Sequence, residues 1–82
     1  MPTFSHVYLL ESKSAPNQRY MGLTDDLPRR LREHNNGKCS HTMKFIPWRI
    51  RAAVAFWDRD RAARFEKHLK SHSGRIFAER WL

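Results

Sequence analysis

The chain has 82 residues, of which 16 are Lys or Arg and eight are Asp or Glu, for a formal charge of +8 at pH 7. A domain of this size buries only about 60% of the surface its unfolded chain exposes, which excludes a large enclosed active site and favours a polymer that supplies part of its own enclosure. The charge excess attracts polyanions, nucleic acid first, and it is uneven: the first 41 residues carry six basic and four acidic groups, the last 41 ten and four.

Cys39 is the single cysteine, so no intrachain disulfide can form and nothing points to an oxidising compartment. The opening MPTFSHVYLLESK lacks a basic start, and its apolar run is too short for a signal peptide. No stretch reaches the roughly 20 apolar residues of a membrane span, so the expectation is a cytoplasmic protein without a membrane segment. No repeat, low-complexity tract or dividing linker is found, and residues 1–82 read as one domain.

In chain order, FSHVYLLE from residue 4 is rich in β-formers, with Phe4, His6, Tyr8 and Leu10 alternating against Val7 and Leu9, the pattern of a strand buried on at least one face. SKSAPNQ supplies turn residues and RYMGL a second short strand, so the two read as an antiparallel hairpin with a loop longer than the tight two-residue type. A helix follows over residues 27–35. Thr24, Asp25 or Asp26 can cap its free N–H groups, Pro28 suits the first turn because it has no N–H, and NNG at 35–37 is a stop. Leu27 and Leu31 share its inner face, and Arg30 and His34, also four apart, share the adjoining stripe.

KCSHTMKF is expected to loop across the surface. Beyond Pro47, WRIRAAVAFW alternates Ile50, Ala52, Val54 and Phe56 against Arg51, Ala53, Ala55 and Trp57, and its apolar density predicts a central strand. Asp58 or Asp60 then caps a helix over RAARFEKHLKSH, with Ala62, Phe65, Glu66 and Leu69 on one side. A last short helix, GRIFAERWL from near Ser73, is expected to close the core with Ile76, Phe77 and Trp81. The order β-β-α-β-α-α describes an α+β fold, a small antiparallel three-stranded sheet flanked by three helices.

Tyr8 and Tyr20 stand on the two strands of the hairpin, and Gly22 follows Tyr20 on the same face. Glycine weakens a strand unless a bend or a close approach requires it. The trio therefore reads either as core filling beside a bulge or as a site that keeps the backbone clear. Arg30 is directed towards the end of the hairpin, where a planar guanidinium can donate two hydrogen bonds to a phosphate, whereas Arg29 and Arg32 read as solvated flank. Glu66 lies on the apolar side of its helix. An ion pair with Lys70 at i+4 returns only ~0.2–0.5 kcal/mol, whereas a hard divalent cation can take one carboxylate and complete its shell with water and phosphate oxygens.

In these residues the chain resembles the GIY-YIG nuclease domain of homing endonucleases, some restriction enzymes and a repair excinuclease subunit, over His6 to about Arg80. The family's Gly-Ile-Tyr motif stands here as His6-Val7-Tyr8 and its Tyr-Ile-Gly motif as Tyr20-Met21-Gly22, and LTDDLPRRLREHN then looks like the small stand-alone members. The family arginine falls on Arg30 and the metal-binding glutamate on Glu66. The first motif lacks its glycine, and no asparagine follows Asn36, although many members carry one after the glutamate helix.

The resemblance implies a GIY-YIG fold and hydrolysis of phosphodiester bonds in DNA, one strand at a time, with one Mg²⁺ or Mn²⁺ ion and no small-molecule cofactor, in repair or recombination. It implies Tyr8 as general base, Tyr20 positioning water or phosphate, Arg30 stabilising charge on the phosphate and Glu66 holding the metal. A free tyrosine titrates near pH 10, and lowering that to 7 takes roughly 4 kcal/mol. His34, one helical turn from Arg30 and titrating near neutrality, is expected to assist Tyr8 as a relay. These assignments require the fold to gather Tyr8, Tyr20, Arg30 and Glu66 around one hollow.

A non-catalytic nucleic-acid-binding module is the alternative. Arg49, Arg51, Arg59, Arg61, Arg64, Lys67, Lys70 and Arg75, with Trp48 and Trp57 nearby, could track a backbone and stack bases; a solvated face is the other reading of the helix residues among them. A zinc site from Cys39, His41, His68 and His72 is a third reading, resting on the i, i+4 spacing of the last two.

Overall fold

The computed structural model describes residues 3–82. β1 (Ser5–Ser12) and β2 (Arg19–Thr24) form the hairpin, α1 (Leu27–Asn35) follows, and a 3-10 turn (Met43–Phe45) leads into β3 (Trp48–Phe56). Helices α2 (Arg59–Leu69) and α3 (His72–Trp81) complete the order β-β-α-β-α-α. The sheet runs β2-β1-β3, and both pairs are antiparallel. Among the described residues no helix is long and apolar enough to cross a membrane.

β1 takes the middle because it is apolar on both faces, with Val7, Tyr8, Leu9 and Leu10 all at most 3% exposed. Tyr8 and Leu10 pack with Trp48 on the side covered by α1, with Tyr20, Leu27, Leu31, Phe45 and Ile46 at the margin. Val7 packs on the other side against Ala62 and Leu69 of α2 and Ala78 of α3. The result is three layers, α1 over the sheet over the α2–α3 pair.

The caps follow the sequence. Asp26 accepts from the Arg29 N–H at 3.1 Å with Pro28 in the first turn of α1, and Asp58 accepts from the Asp60 N–H at 2.9 Å to start α2. The end of α1 is tied to β3 by Asn35, whose amide exchanges hydrogen bonds of 2.6 and 3.1 Å with the Trp48 backbone.

The structure corrects three expectations. β3 is an edge strand, not a central one, and Ala53 and Ala55 are exposed. Alanines raise apolar density but offer little area to bury, so the larger side chains of β1 claim the centre. α3 begins at His72 behind the Ser71 cap and turns Gly74 and Ala78 inward, leaving Ile76, Phe77 and Trp81 largely exposed. Small residues are selected there because α2 and α3 meet closely: a Cβ at Gly74 would collide with the His68 carbonyl. Residues 38–45 do not merely cross the surface, because Thr42 is fully buried and the Trp48 indole donates to its carbonyl at 2.8 Å.

Candidate active site

The β1–β2 register sets Gly22 directly opposite Tyr8. A Cβ at Gly22 would lie 2.5 Å from Tyr8 Cζ and 2.9 Å from Cε1, and would collide with the hydroxyl, so the ring rests over the glycine. Gly22 is not a bulge; the register shift in the sheet lies between Leu9 and Leu10, against β3. What the glycine clears is the path of the phenol, which extends over β2 to meet side chains from α1.

Two residues of α1 meet it there. Arg30 Nε donates to Tyr8 Oη at 3.3 Å, and His34 Nε2 lies 3.0 Å from the same oxygen. The far side of the imidazole is also engaged, with Nδ1 2.8 Å from Thr42 Oγ1, and Thr42 in turn donates to the Cys39 carbonyl at 3.3 Å. The Tyr20 ring completes the group, its centroid 6.4 Å from that of Tyr8 and 5.1 Å from that of His34.

These partners fix the direction of the chain of hydrogen bonds. Arginine can only donate, so Tyr8 Oη accepts from Arg30, and when the imidazole is neutral and protonated on Nδ1 the Tyr8 proton points at His34 Nε2. Thr42 spends its proton on Cys39, so its oxygen accepts from His34 Nδ1–H. With burial disfavouring the imidazolium, the neutral form protonated on Nδ1, with a lone pair facing the phenol, satisfies all these partners.

Electrostatics agree with that state. Burial, together with the Arg30 charge, pushes the His34 pKa below its ordinary 6.5. Burial pushes Tyr8 above 10, against the opposing hydrogen bond and charge of Arg30. Arg30 is held cationic by its hydrogen bonds to Tyr8 and then Glu33.

Access to the cluster runs past Arg30. Tyr8 is 2% exposed and His34 is fully buried, whereas the Arg30 side chain is 33% exposed and Tyr20 is half-buried. One arm of the guanidinium, Nη1, donates to Glu33 Oε1 at 3.1 Å. A phosphate arriving at Arg30 competes with that carboxylate.

Sequence reasoning brought forward Tyr8, Tyr20, Arg30 and His34, and the fold assembles all four. It missed Glu33 and Thr42. The i, i+3 spacing from Arg30 was a readable signal for Glu33, but a threonine in a segment without periodicity carries none.

Glu66 does not join the cluster. α2 packs through Ala62, Phe65 and Leu69 on the Val7 side of the sheet, opposite the Tyr8 side, and the Glu66 carboxylate accepts from Lys70 Nζ at 3.3 Å. The single hollow expected around both phenols, Arg30 and Glu66 is thus corrected: the helix bearing Glu66 covers the other face. It nevertheless contacts β2, the edge strand over which the Tyr8 ring leans. The phenol and the helix of the carboxylate approach one sheet edge from opposite faces. Among the described residues no three His, Cys, Asp or Glu side chains gather as a metal set, so Cys39, His41, His68 and His72 form no zinc site.

The basic residues divide. Arg49 and Arg51 both bond the nearly buried Glu11, each at 2.6 Å, and hold its pKa below the usual carboxylate range. Arg51 also donates to the Leu82 carbonyl at 3.0 Å, tying β3 to the end of α3. With Glu11 these two arginines leave one net positive charge, and the Arg49 side chain stays 60% exposed. Arg59, Arg61, Arg64, Lys67 and Arg75 are exposed and make no ion pair among the described residues. Trp48 is 3% exposed and cannot stack a base, a correction to its expected role, whereas Trp57 is 66% exposed beside Phe4.

A three-layer α+β domain with a tyrosine laid over a strand glycine and bonded to a helix arginine defines a domain of the GIY-YIG type. The model of the GIY-YIG catalytic domain matches residues 4–80, and the chain belongs to that family. It is similar to structure-specific endonuclease subunit SLX1 of Scheffersomyces stipitis, 43% identical over 60 residues that cover 66% of this chain and 18% of that protein. The protein of the same name in Debaryomyces hansenii is 40% identical over 76 residues, covering 84% and 22%. UPF0213 protein BH0048 of Halalkalibacterium halodurans is 37% identical over 71 residues, covering 85% and 73%. The chain thus spans about a fifth of the length of these two SLX1 proteins.

Proposed function

We propose that the chain is a divalent-metal-dependent endonuclease that hydrolyses phosphodiester bonds in DNA, one strand at a time, in the service of repair or recombination. The observation that carries this reading is the Tyr8 hydroxyl held between Arg30 Nε at 3.3 Å and His34 Nε2 at 3.0 Å. Membership of the GIY-YIG family and likeness to proteins named as structure-specific endonuclease subunits support it.

Because burial raises the Tyr8 pKa, a free phenolate is a poor working state. The hydrogen-bond chain avoids it. As a water oxygen bonds to phosphorus, its proton passes to Tyr8 Oη while the Tyr8 proton passes to His34 Nε2, and the bond from phosphorus to the leaving sugar oxygen breaks. Solvent protonates the departing oxygen. Thr42 holds the imidazole in the tautomer that can accept. Arg30 exchanges Glu33 for a phosphate oxygen and stabilises the charge that builds there, and Tyr20, at the open side, orients the incoming phosphate.

Glu66 fits a hard divalent ion as a single protein ligand, being a half-buried carboxylate whose only side-chain partner among the described residues is an exposed lysine. One carboxylate leaves most of the coordination shell to water and phosphate oxygens, which suits Mg²⁺ or Mn²⁺. Because α2 covers the face opposite Tyr8, an ion held there would supply charge neutralisation to a phosphate on a strand crossing the β2 edge, not within a hollow shared with Tyr8.

Incubation with supercoiled plasmid and with single-stranded, duplex and branched DNA, with and without Mg²⁺, tests the proposal. Metal-dependent nicks are expected. Tight DNA binding without a cut on any substrate would replace the nuclease with a binding module.

A further inference from the structure

A second feature lies on the reverse of the sheet. A cleft of about 620 Å³ runs between β2 and the α2–α3 pair, within the size range of small-molecule sites, roughly 300–1,000 Å³. Leu9, Met21 and Ala78 give it apolar lining, and Arg19, Lys70 and Arg75 bring three positive charges. Glu79 is the one acidic residue lining it. Arg19 and Arg75 make no ion pair among the described residues, and Lys70 meets only Glu66.

We propose that this cleft is a second nucleotide site, which takes one unpaired nucleotide of a DNA strand, its base against the apolar lining and its phosphate among the three cations. The two kinds of surface match the two halves of a nucleotide. Arg19 and Arg75, without an ion pair among the described residues, bring like charges to an apolar lining, and a phosphate relieves their repulsion. Tyr20 gives continuity with the catalytic cluster: it lines the cleft and also stands beside Tyr8 and His34. A strand passing over the exposed edge of β2 therefore reaches both. The choice of a DNA strand over another anion rests on the nuclease reading.

The cleft also narrows the substrate. A base that is paired in a duplex cannot enter it, so the cleft favours DNA that offers an unpaired nucleotide near the cut, as frayed ends and branch points do.

The test is fluorescence anisotropy of labelled dT10 and of a blunt 10-base-pair duplex with the full chain carrying Tyr8→Phe, so that no cleavage interferes. Adding Arg19→Ala and Arg75→Ala is expected to weaken dT10 binding about tenfold and to lower its salt slope by about 0.7, the value for one lost phosphate contact on a single strand. Duplex binding is expected to change by less than about threefold. Glu79→Gln, which cannot act by loss of folding, is expected to tighten dT10 binding. Unchanged dT10 affinity in the double-alanine variant, or equal losses for duplex and single strand, would overturn the proposal. So would decaglutamate competing as well as dT10, which would make the cleft a site for acidic peptides. Absence of cleavage by the unmodified chain would remove the nuclease reading and leave these binding outcomes to be judged separately.

Discussion

Gly22→Ala places the smallest side chain where the Tyr8 ring now rests. The new Cβ would be 2.5 Å from Tyr8 Cζ, and ordinary contact begins at 3.4 Å, so the ring must retreat by about 1 Å. It has little room, being 2% exposed and packed with Leu10 and Trp48. Overpacking of this kind costs about 1–3 kcal/mol, offset by the ~0.5–1 kcal/mol gained when a strand glycine is removed. The net loss, about 1 kcal/mol at the middle of these ranges, corresponds to a fall in Tm of roughly 4–8 °C for a domain of this length. The same displacement pulls Oη away from Arg30 and His34, and a misplacement of about 1 Å at a reacting group can cost about a hundredfold in rate. Thermal unfolding by circular dichroism and single-turnover plasmid nicking measure the two effects. In a Tyr8→Phe background most of the stability cost should persist, because Cζ and Cε1 still collide. A Gly22→Ala protein with unchanged Tm and nicking within about threefold of the parent would show that the Tyr8 ring does not depend on the space over Gly22.

Thr42→Val keeps the volume of the side chain and removes the acceptor for His34 Nδ1–H. It should lower nicking by about ten- to a hundredfold while leaving DNA affinity unchanged. For pH, the sign follows from His34. Its folded pKa lies below 6.5, so as pH falls beneath 6.5 the unfolded chain takes up the proton first, and stability is lost as pH drops through the lowered folded value. Urea midpoints between pH 5 and 7 should fall with acid in the parent and less steeply in His34→Gln, and the parent's nicking should decline over the same window as the base is protonated. Glu66→Ala should abolish Mg²⁺-dependent nicking and leave DNA binding nearly intact, as read by anisotropy beside the plasmid assay; an equally active variant would remove the metal assignment.

What could be read from the sequence, and what could not, follows from the range of the interactions. Local signals were sufficient for α1, whose bounds match, because a cap, a first-turn proline and a leucine repeat all act within a few residues. Strand alternation also put Gly22 on the face of Tyr20, but that Gly22 lies opposite Tyr8 depends on the hairpin register, which the long loop leaves open. Which strand lies in the middle was misjudged because it depends on side-chain volume summed over three strands. The inward face of α3 was misjudged because contact with α2 selects glycine and alanine over larger apolar residues. At the site, helical spacing put Arg30 and His34 on one stripe, and the resemblance to the family marked Arg30. Thr42 was not, since only the tertiary placement of the segment after α1, anchored by Trp48, brings it to the imidazole. For Glu66 the spacing placed it on the packed side of its helix, but which face of the sheet that helix covers is a property of the chain's crossover and not of the spacing.

The central claim is that the Tyr8 hydroxyl, between Arg30 and His34, handles the proton of the attacking water. Single-turnover cleavage at saturating Tyr8→Phe, with folding verified by circular dichroism, tests it most directly. A loss of at least about a hundredfold is expected, the lower end for general acid–base catalysis, with DNA affinity retained. Cleavage within about threefold of the parent would contradict it.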